Sequence, residues 1–169
     1  MGTFRRKRAG DPEKALAKAR DPDAARATAV SLLARRDFAS GELRQKLGSQ
    51  GYDATVATAV VAELIEERAL DDARYAENYV AYHAGRGQGP RRIGADLRSL
   101  GVPADLAEAA LGTGPDWREL ARTVRIRKFG AEPPEEWTEK TRQARFLQYR
   151  GFSSDHIRAA TGADFDPDS

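Results

Sequence analysis

The chain reads as all-α, a row of small helical units, and three observations predict this. Leucine, three residues, glycine, then an apolar or aromatic residue recurs at Leu47–Tyr52, Leu97–Val102 and Leu147–Phe152, so Gly51, Gly101 and Gly151 stand 50 residues apart. A glycine just past a helix takes up the left-handed turn that closes it with least strain. Each glycine is followed by a helix-start residue (Asp53, Pro103, Ser153) and a short apolar face: Val56 and Val60, Leu106 and Ala110, Ile157 and Ala160. Finally, Ala, Arg, Leu and Glu are prominent, β-branched residues are few and no stretch sustains a period-two alternation. Such units bury their apolar faces against one another, so 169 residues suit a row as well as one globule.

Composition removes several functional classes. There are no cysteines, hence no disulfide and no thiolate metal site. No apolar run approaches the roughly 18 residues that span a bilayer. The basic start, Arg5-Arg6-Lys7-Arg8, leads into Ala9-Gly10-Asp11-Pro12 rather than an apolar core, so it is not a secretory signal and a cytoplasmic protein is expected. The net charge of +2 is unevenly placed: residues 1–20 carry seven Lys or Arg against two acids, and the other 149 carry 21 against 24. The body is therefore mildly acidic, which is not the composition of a uniformly basic nucleic-acid binder.

Taken in order, residues 1–22 have few large apolar groups and two Asp-Pro breaks, which predicts a flexible basic arm. Arg5, Arg6, Lys7 and Arg8 either touch nucleic-acid phosphates, adding about −3.6 to the log–log salt slope on duplex DNA, or form a solvated tail without a partner. The first repeat, 23–69, opens with an Ala-rich helix from Asp23 to about Ala34, striped by Val30 and Leu33. Ser40 caps a second helix, 41–50, with Leu43 and Leu47 on one face. Asp53 opens a third, carrying Val56, Val60, Val61, Leu64 and Ile65 inward and Glu63, Glu66 and Glu67 outward.

The second repeat, 70–113, starts with Asp71-Asp72 at the positive end of a helix dipole. Tyr75, Tyr79 and Tyr82 form an aromatic stripe expected in the core. The connection Gly85-Arg86-Gly87-Gln88-Gly89 lacks the Lys-Ser/Thr ending of a phosphate loop and follows a helix instead of a strand, so it is not a nucleotide site. Pro90 begins the next helix, with Ile93, Leu97 and Leu100 inward and Arg91, Arg92 and Arg98 outward. The third repeat, 114–162, sets Trp117, Leu120, Ala121 and Val124 on one face and Arg118, Arg122 and Arg125 on another. Its first helix stops by Gly130, and a long Pro-containing linker leads to a helix from Trp137 to Arg150 and a last one from Ser153 to about Thr161. Residues 163–169 form an acidic tail.

Catalytic signatures are missing. His83 and His156 have no metal-like spacing to acids and read as surface or cap-region residues. Asp71 and Asp72 are adjacent and so point about 100° apart on a helix. No nucleophile-elbow, zincin, Rossmann or Walker pattern occurs, so no enzyme and no cofactor is expected.

Four segments, LLARRDFASGELRQKL (Leu32–Leu47), LDDARYAENYV (Leu70–Val80), GPRRIGADLRSLGV (Gly89–Val102) and KTRQARFLQYRGFSSDHIRAA (Lys140–Ala160), occur in the order in which the bacterial regulatory protein RecX family carries similar ones. The chain resembles that family from about residue 24 to 161. The resemblance implies three tandem three-helix, helix-turn-helix-like repeats in an elongated, curved rod. It also implies a non-enzymatic regulator that binds the recombinase RecA and its filament on single-stranded DNA, inhibiting recombinase, ATPase and coprotease activities. An independent DNA-binding protein using its helix-turn-helix-like units and basic arm is the alternative, and weak DNA binding is compatible with either. For charged contacts with the partner the residues are Arg74, Arg86, Arg91, Arg92 and Arg98, while Tyr75, Ile93 and Leu97 read as core. Ala81 and His83 stand where relatives are expected to carry arginine or another polar residue, and the basic arm lies outside the family pattern. No membrane is involved, and an elongated monomer is expected.

Overall fold

The computed structural model describes residues 11–163. They form ten α-helices and no strand: α1 (Pro12–Ala19), α2 (Pro22–Leu33), α3 (Ser40–Ser49), α4 (Ala54–Glu66), α5 (Asp72–Gly85), α6 (Pro90–Ser99), α7 (Ala104–Gly112), α8 (Trp117–Phe129), α9 (Trp137–Arg150) and α10 (Ser154–Thr161). Among these residues no helix is long and apolar enough to cross a membrane. The chain divides after Asp71 into two compact units.

The recurring leucine-to-glycine pattern is the hydrogen-bonded closure of the second helix in each three-helix repeat. Gly51, Gly101 and Gly151 have φ of 94°, 75° and 93°. In each copy the residue after the glycine donates its N–H to the leucine carbonyl five positions back: Tyr52 to Leu47 at 3.3 Å, Val102 to Leu97 and Phe152 to Leu147 at 3.1 Å. The glycine N–H meanwhile reaches the carbonyl three back, so two otherwise orphaned carbonyls are satisfied at each helix end. The apolar partners of this turn are core residues: Leu47, Leu97 and Leu147 are fully buried, as are Tyr52, Val102 and Phe152 to within a few per cent. Burying one leucine is worth about 1.5–3 kcal/mol, so the repeated pattern marks both the end of a helix and the centre of a core. The end of α4 is a variant, in which Arg68 holds the left-handed position at φ 57° and Ala69 donates to Leu64.

In the first unit α2, α3 and α4 pack around Ala25, Ala29, Leu43, Leu47, Val60, Val61 and Leu64. Leu70 joins this core, although the sequence places it at the start of the second repeat. The stripe of α2 is Ala25 and Ala29, with Leu32 and Leu33 alongside, whereas Val30 is 48 % exposed. Ser40 does not cap α3: it is the buried first residue of the helix, and Ala39 precedes it without a side-chain bond. Asp53 does occupy the N-cap of α4, but its side chain makes no capping hydrogen bond and faces Arg20 at 3.7 Å.

The flexible arm predicted over residues 1–22 is corrected at 12–19, which form α1. Both Asp-Pro pairs are helix starts rather than breaks. Asp11 and Asp21 accept the N–H groups of Glu13 and Ala24, and proline takes the first helical position, where its missing N–H costs nothing. The end of α1 is tied down by Asp53 N–H donating to Ala19 O at 2.9 Å and by Lys18 Nζ, which lies 5.3 Å from the Tyr52 ring centre. Arg5, Arg6, Lys7, Arg8 and residues 164–169 of the acidic tail lie outside the described residues.

In the second unit α5, α6 and α7 surround Val80, Ile93, Leu97 and Val102, and α8, α9 and α10 surround Ala121, Leu147, Phe152 and Ile157. Asp72, Ala76, Val80 and Ala84 form the buried stripe of α5. That places the tyrosine stripe on the helix flank instead of in the core: Tyr75 and Tyr79 are half-buried and Tyr82 is 60 % exposed. Arg125 differs from Arg118 and Arg122, which share its face of α8 in the sequence and are exposed. It is buried, and its guanidinium donates to Glu132 O at 2.9 Å and Ala131 O at 3.1 Å, because the linker folds its carbonyls back over the helix and they need donors.

Candidate functional site

The two repeats of the second unit join through backbone. Gly89 N–H donates to Arg150 O at 2.8 Å and Arg91 N–H to Gly151 O at 2.9 Å, so the unsatisfied start of α6 meets the unsatisfied end of α9. The helix dipoles meet there with opposite partial charges, which adds to the attraction. Only glycine permits the approach. A Cβ on Gly89 would fall inside the backbone of Gly151, and one on Gly151 would overlap Arg92 and lie 2.7 Å from its N. The glycine-rich connection, rejected above as a phosphate loop, is thus a seat for the third repeat.

Around this seam the last turns of α8 and α9 come to the loop after α5. They enclose a small cleft of about 130 Å³ lined by Arg86, Gly87, Val124, Arg127, Lys128, Phe146 and Arg150. Arg150 donates to Arg86 O at 3.4 Å and holds its guanidinium 5.4 Å from the Phe146 ring centre, while Phe146 packs edge-on to Phe129. Arg86 donates to the Tyr82 hydroxyl at 3.1 Å and lies 5.4 Å from that ring. Tyr82 in turn meets His83 edge-on, and His83 stacks on Tyr79 at 4.0 Å.

The five arginines expected to serve the partner do not form one cluster. All five are exposed. Arg86 belongs to the cleft, and Arg91 and Arg92 sit at the seam, where the Arg92 backbone rests against Gly151. Arg98 lies at the other end of α6, about 10 Å along the axis from Arg91. Arg74 is in the first turn of α5, roughly 17 Å from the end carrying Arg86. Arg127, Lys128 and Arg150 were missed by sequence reading because they come from a different repeat. Their one signal in the sequence was a base in the last turn of each helix, which the dipole alone would explain.

Nearby, Ala81 lines a mostly apolar depression of about 620 Å³ with Val80, Ala84, Ala110, Pro115 and Leu120. His156 closes α10's start reciprocally with Ser153: its Nδ1 accepts from Ser153 N–H at 3.3 Å. Burial, reinforced by the Arg118 guanidinium, lowers its pKa below the ordinary imidazole value, and Asp155 and Asp116 oppose this. Among the described residues no group of three or more His, Cys, Asp or Glu is placed to hold a metal ion.

Helix-turn-helix proteins read duplex DNA by laying one helix in the major groove. The third helices here are poor candidates for that: α4 and α7 carry acids and no base, and Arg158 of α10 lies 3.7 Å from Asp155. Bases gather instead at the start of α6 and the ends of α8 and α9.

These features define an all-α tandem-repeat protein whose distinguishing chemistry is carried by guanidinium groups on its surface. Three family models match in succession: the first three-helix domain of RecX at residues 25–64, the second at 71–111 and the third at 116–161. Regulatory protein RecX of Halorhodospira halophila is 44% identical over 142 residues, covering 83% of this chain and 88% of its own length. That of Vibrio vulnificus is 42% identical over 134 residues, covering 79% and 88%. The crystal structure of RecX from Lactobacillus salivarius has the same fold, with a TM-score of 0.71 over 82% of this chain and 93% of that one, at 22% identity. The chain belongs to the RecX family of regulatory proteins.

Proposed function

We propose that this protein is a regulator without catalysis of its own, which binds the recombinase RecA and its filament on single-stranded DNA and restrains recombinase, ATPase and coprotease activities. Membership of a regulatory family across all three three-helix domains carries this reading. It fits a chain whose repeats offer several separate basic points, since weak contacts made together add through effective concentration. Arg86, Arg91, Arg92 and Arg98 are the contacts assigned to the partner, with Arg74 contributing at the far end of α5. The protein acts in the cytoplasm as a monomer. Duplex reading by the helix-turn-helix-like units is disfavoured by the acids on α4 and α7.

The test is RecA ATP hydrolysis on single-stranded DNA against increasing amounts of this protein, beside a DNA-binding titration at the same salt. Inhibition is expected at concentrations where the protein alone does not coat the strand. Unchanged hydrolysis and filament length at severalfold excess would refute the proposal, and inhibition only once the strand is covered would mean competition for DNA.

A further inference from the structure

We propose that the cleft formed by Arg86, Arg127, Lys128 and Arg150 seats a backbone phosphodiester of an unpaired polynucleotide strand, with Tyr82 stacking a neighbouring base. This is direct strand binding, and it needs no RecA.

Charge carries the inference first. Several arginines elsewhere on the described surface sit with acids: Arg26 with Glu67 at 2.7 Å, Arg36 with Glu42 at 2.6 Å, Arg142 with Glu139 at 2.8 Å and Arg122 with Glu119 at 3.3 Å. Those without an ion pair, such as Arg35, Arg44 and Arg145, line no cleft with three other cations among the described residues. The four cations of the cleft have no carboxylate among the lining residues and make no ion pair within 4 Å among the described residues. Helix dipoles account for a base at each helix end. They do not account for three helix ends delivering four cations to one cleft without an acid, an arrangement that like-charge repulsion opposes until an anion enters.

Size narrows the ligand. At about 130 Å³ the cleft is well below the roughly 300–1,000 Å³ of sites that enclose a small molecule. A single anionic group enters, and the rest of its molecule stays outside. The rings then select the kind of polyanion. Tyr82 is 60 % exposed and is held against Arg86, while Phe146 forms part of the wall beneath Arg150. Cations that track a backbone beside an open aromatic face are the elements of single-strand binding, because unpaired bases offer a face to stack. An acidic protein surface would use the cations and leave Tyr82 idle. The seam bonds from Gly89 and Arg91 hold both sides of the cleft in place before any ligand arrives.

The experiment uses the full chain without RecA, binding a fluorescent 15-residue oligo-dT over a salt series, with poly-L-glutamate as a base-free polyanion. Arg127→Gln with Lys128→Gln should weaken oligo-dT binding about tenfold at low salt and reduce the log–log salt slope by about 1.4. Arg35→Gln with Lys46→Gln, which removes equal charge from the first unit, should change neither by more than a fraction of that. Tyr82→Ala should weaken oligo-dT about fivefold or more and leave poly-L-glutamate binding unaltered, and Tyr82→Phe should keep the ring's contribution. Equal losses in the two double variants would overturn the site in favour of net charge. An unchanged slope in the cleft variant, or a Tyr82→Ala loss that is the same for both polyanions, would overturn it too. Since RecA is absent throughout, none of these failures touches the regulatory reading, which stands or falls on the hydrolysis titration.

Discussion

Arg125 shows how one side chain can take a role opposite to its sequence position. Its spacing on α8 matches Arg118 and Arg122, yet it is buried and its planar fork binds two carbonyls of the α8–α9 linker. A lysine is a point charge that cannot make that bidentate contact. Arg125→Lys should therefore cost about 1.5–3 kcal/mol, read from urea unfolding; an unchanged midpoint would mean that the linker is held by other contacts, such as those of buried Pro134. His156 carries a pH dependence of defined sign. Its pKa is lowered in the folded protein, first by burial and then by Arg118, so the unfolded chain binds more protons below the ordinary value of about 6.5. Its contribution to stability is complete above that value and is lost as pH falls through the depressed folded pKa, where protonated Nδ1 can no longer accept from Ser153. Denaturant melts at pH 7.5 and pH 5.0 should accordingly show a smaller acid loss for His156→Asn than for the unaltered protein, and equal losses would remove His156 from the account.

At the scale of elements, identical glycines do different work. Gly51 and Gly151 close α3 and α9 with nearly the same φ, but a Cβ at Gly51 meets nothing within 4 Å whereas at Gly151 it overlaps Arg92. Gly51→Ala should cost only the left-handed strain of about 1–2 kcal/mol. Gly151→Ala should cost a further ~1–3 kcal/mol of overpacking and loosen the second repeat from the third. Equal costs in parallel melts would mean that the seam is softer than its hydrogen bonds suggest. The spacing of the three copies was plain in the sequence. That one of them also carries a contact between repeats was not, because nothing in LQYRGF distinguishes a glycine facing solvent from one facing a helix.

For the whole molecule, the unit of organisation differs from the unit of repetition. Three repeats occur, but the second and third build one compact unit after Asp71. The arginines at their seam have exposed side chains on a backbone that is fixed in place. Arg91→Ala with Arg92→Ala should thus leave stability within about 0.5 kcal/mol per site while reducing inhibition of RecA hydrolysis. A large loss of stability, or undiminished inhibition by a folded double variant, would remove these two residues from the proposed partner surface.

The sequence by itself determined the all-α class, the helix ends and the main core leucines, because left-handed glycines, proline starts and three-to-four spacing act within a few residues and do not wait for the rest of the chain. It misread Asp11-Pro12 and the tyrosine stripe, where two local signals competed and burial decided between them. Tertiary structure alone decided that Arg86 keeps company with Arg127, Lys128 and Arg150 rather than with Arg74 and Arg98. Residues on different helices become neighbours only when those helices pack, and here the packing depends on two glycines admitting a backbone contact that spacing along the chain does not record.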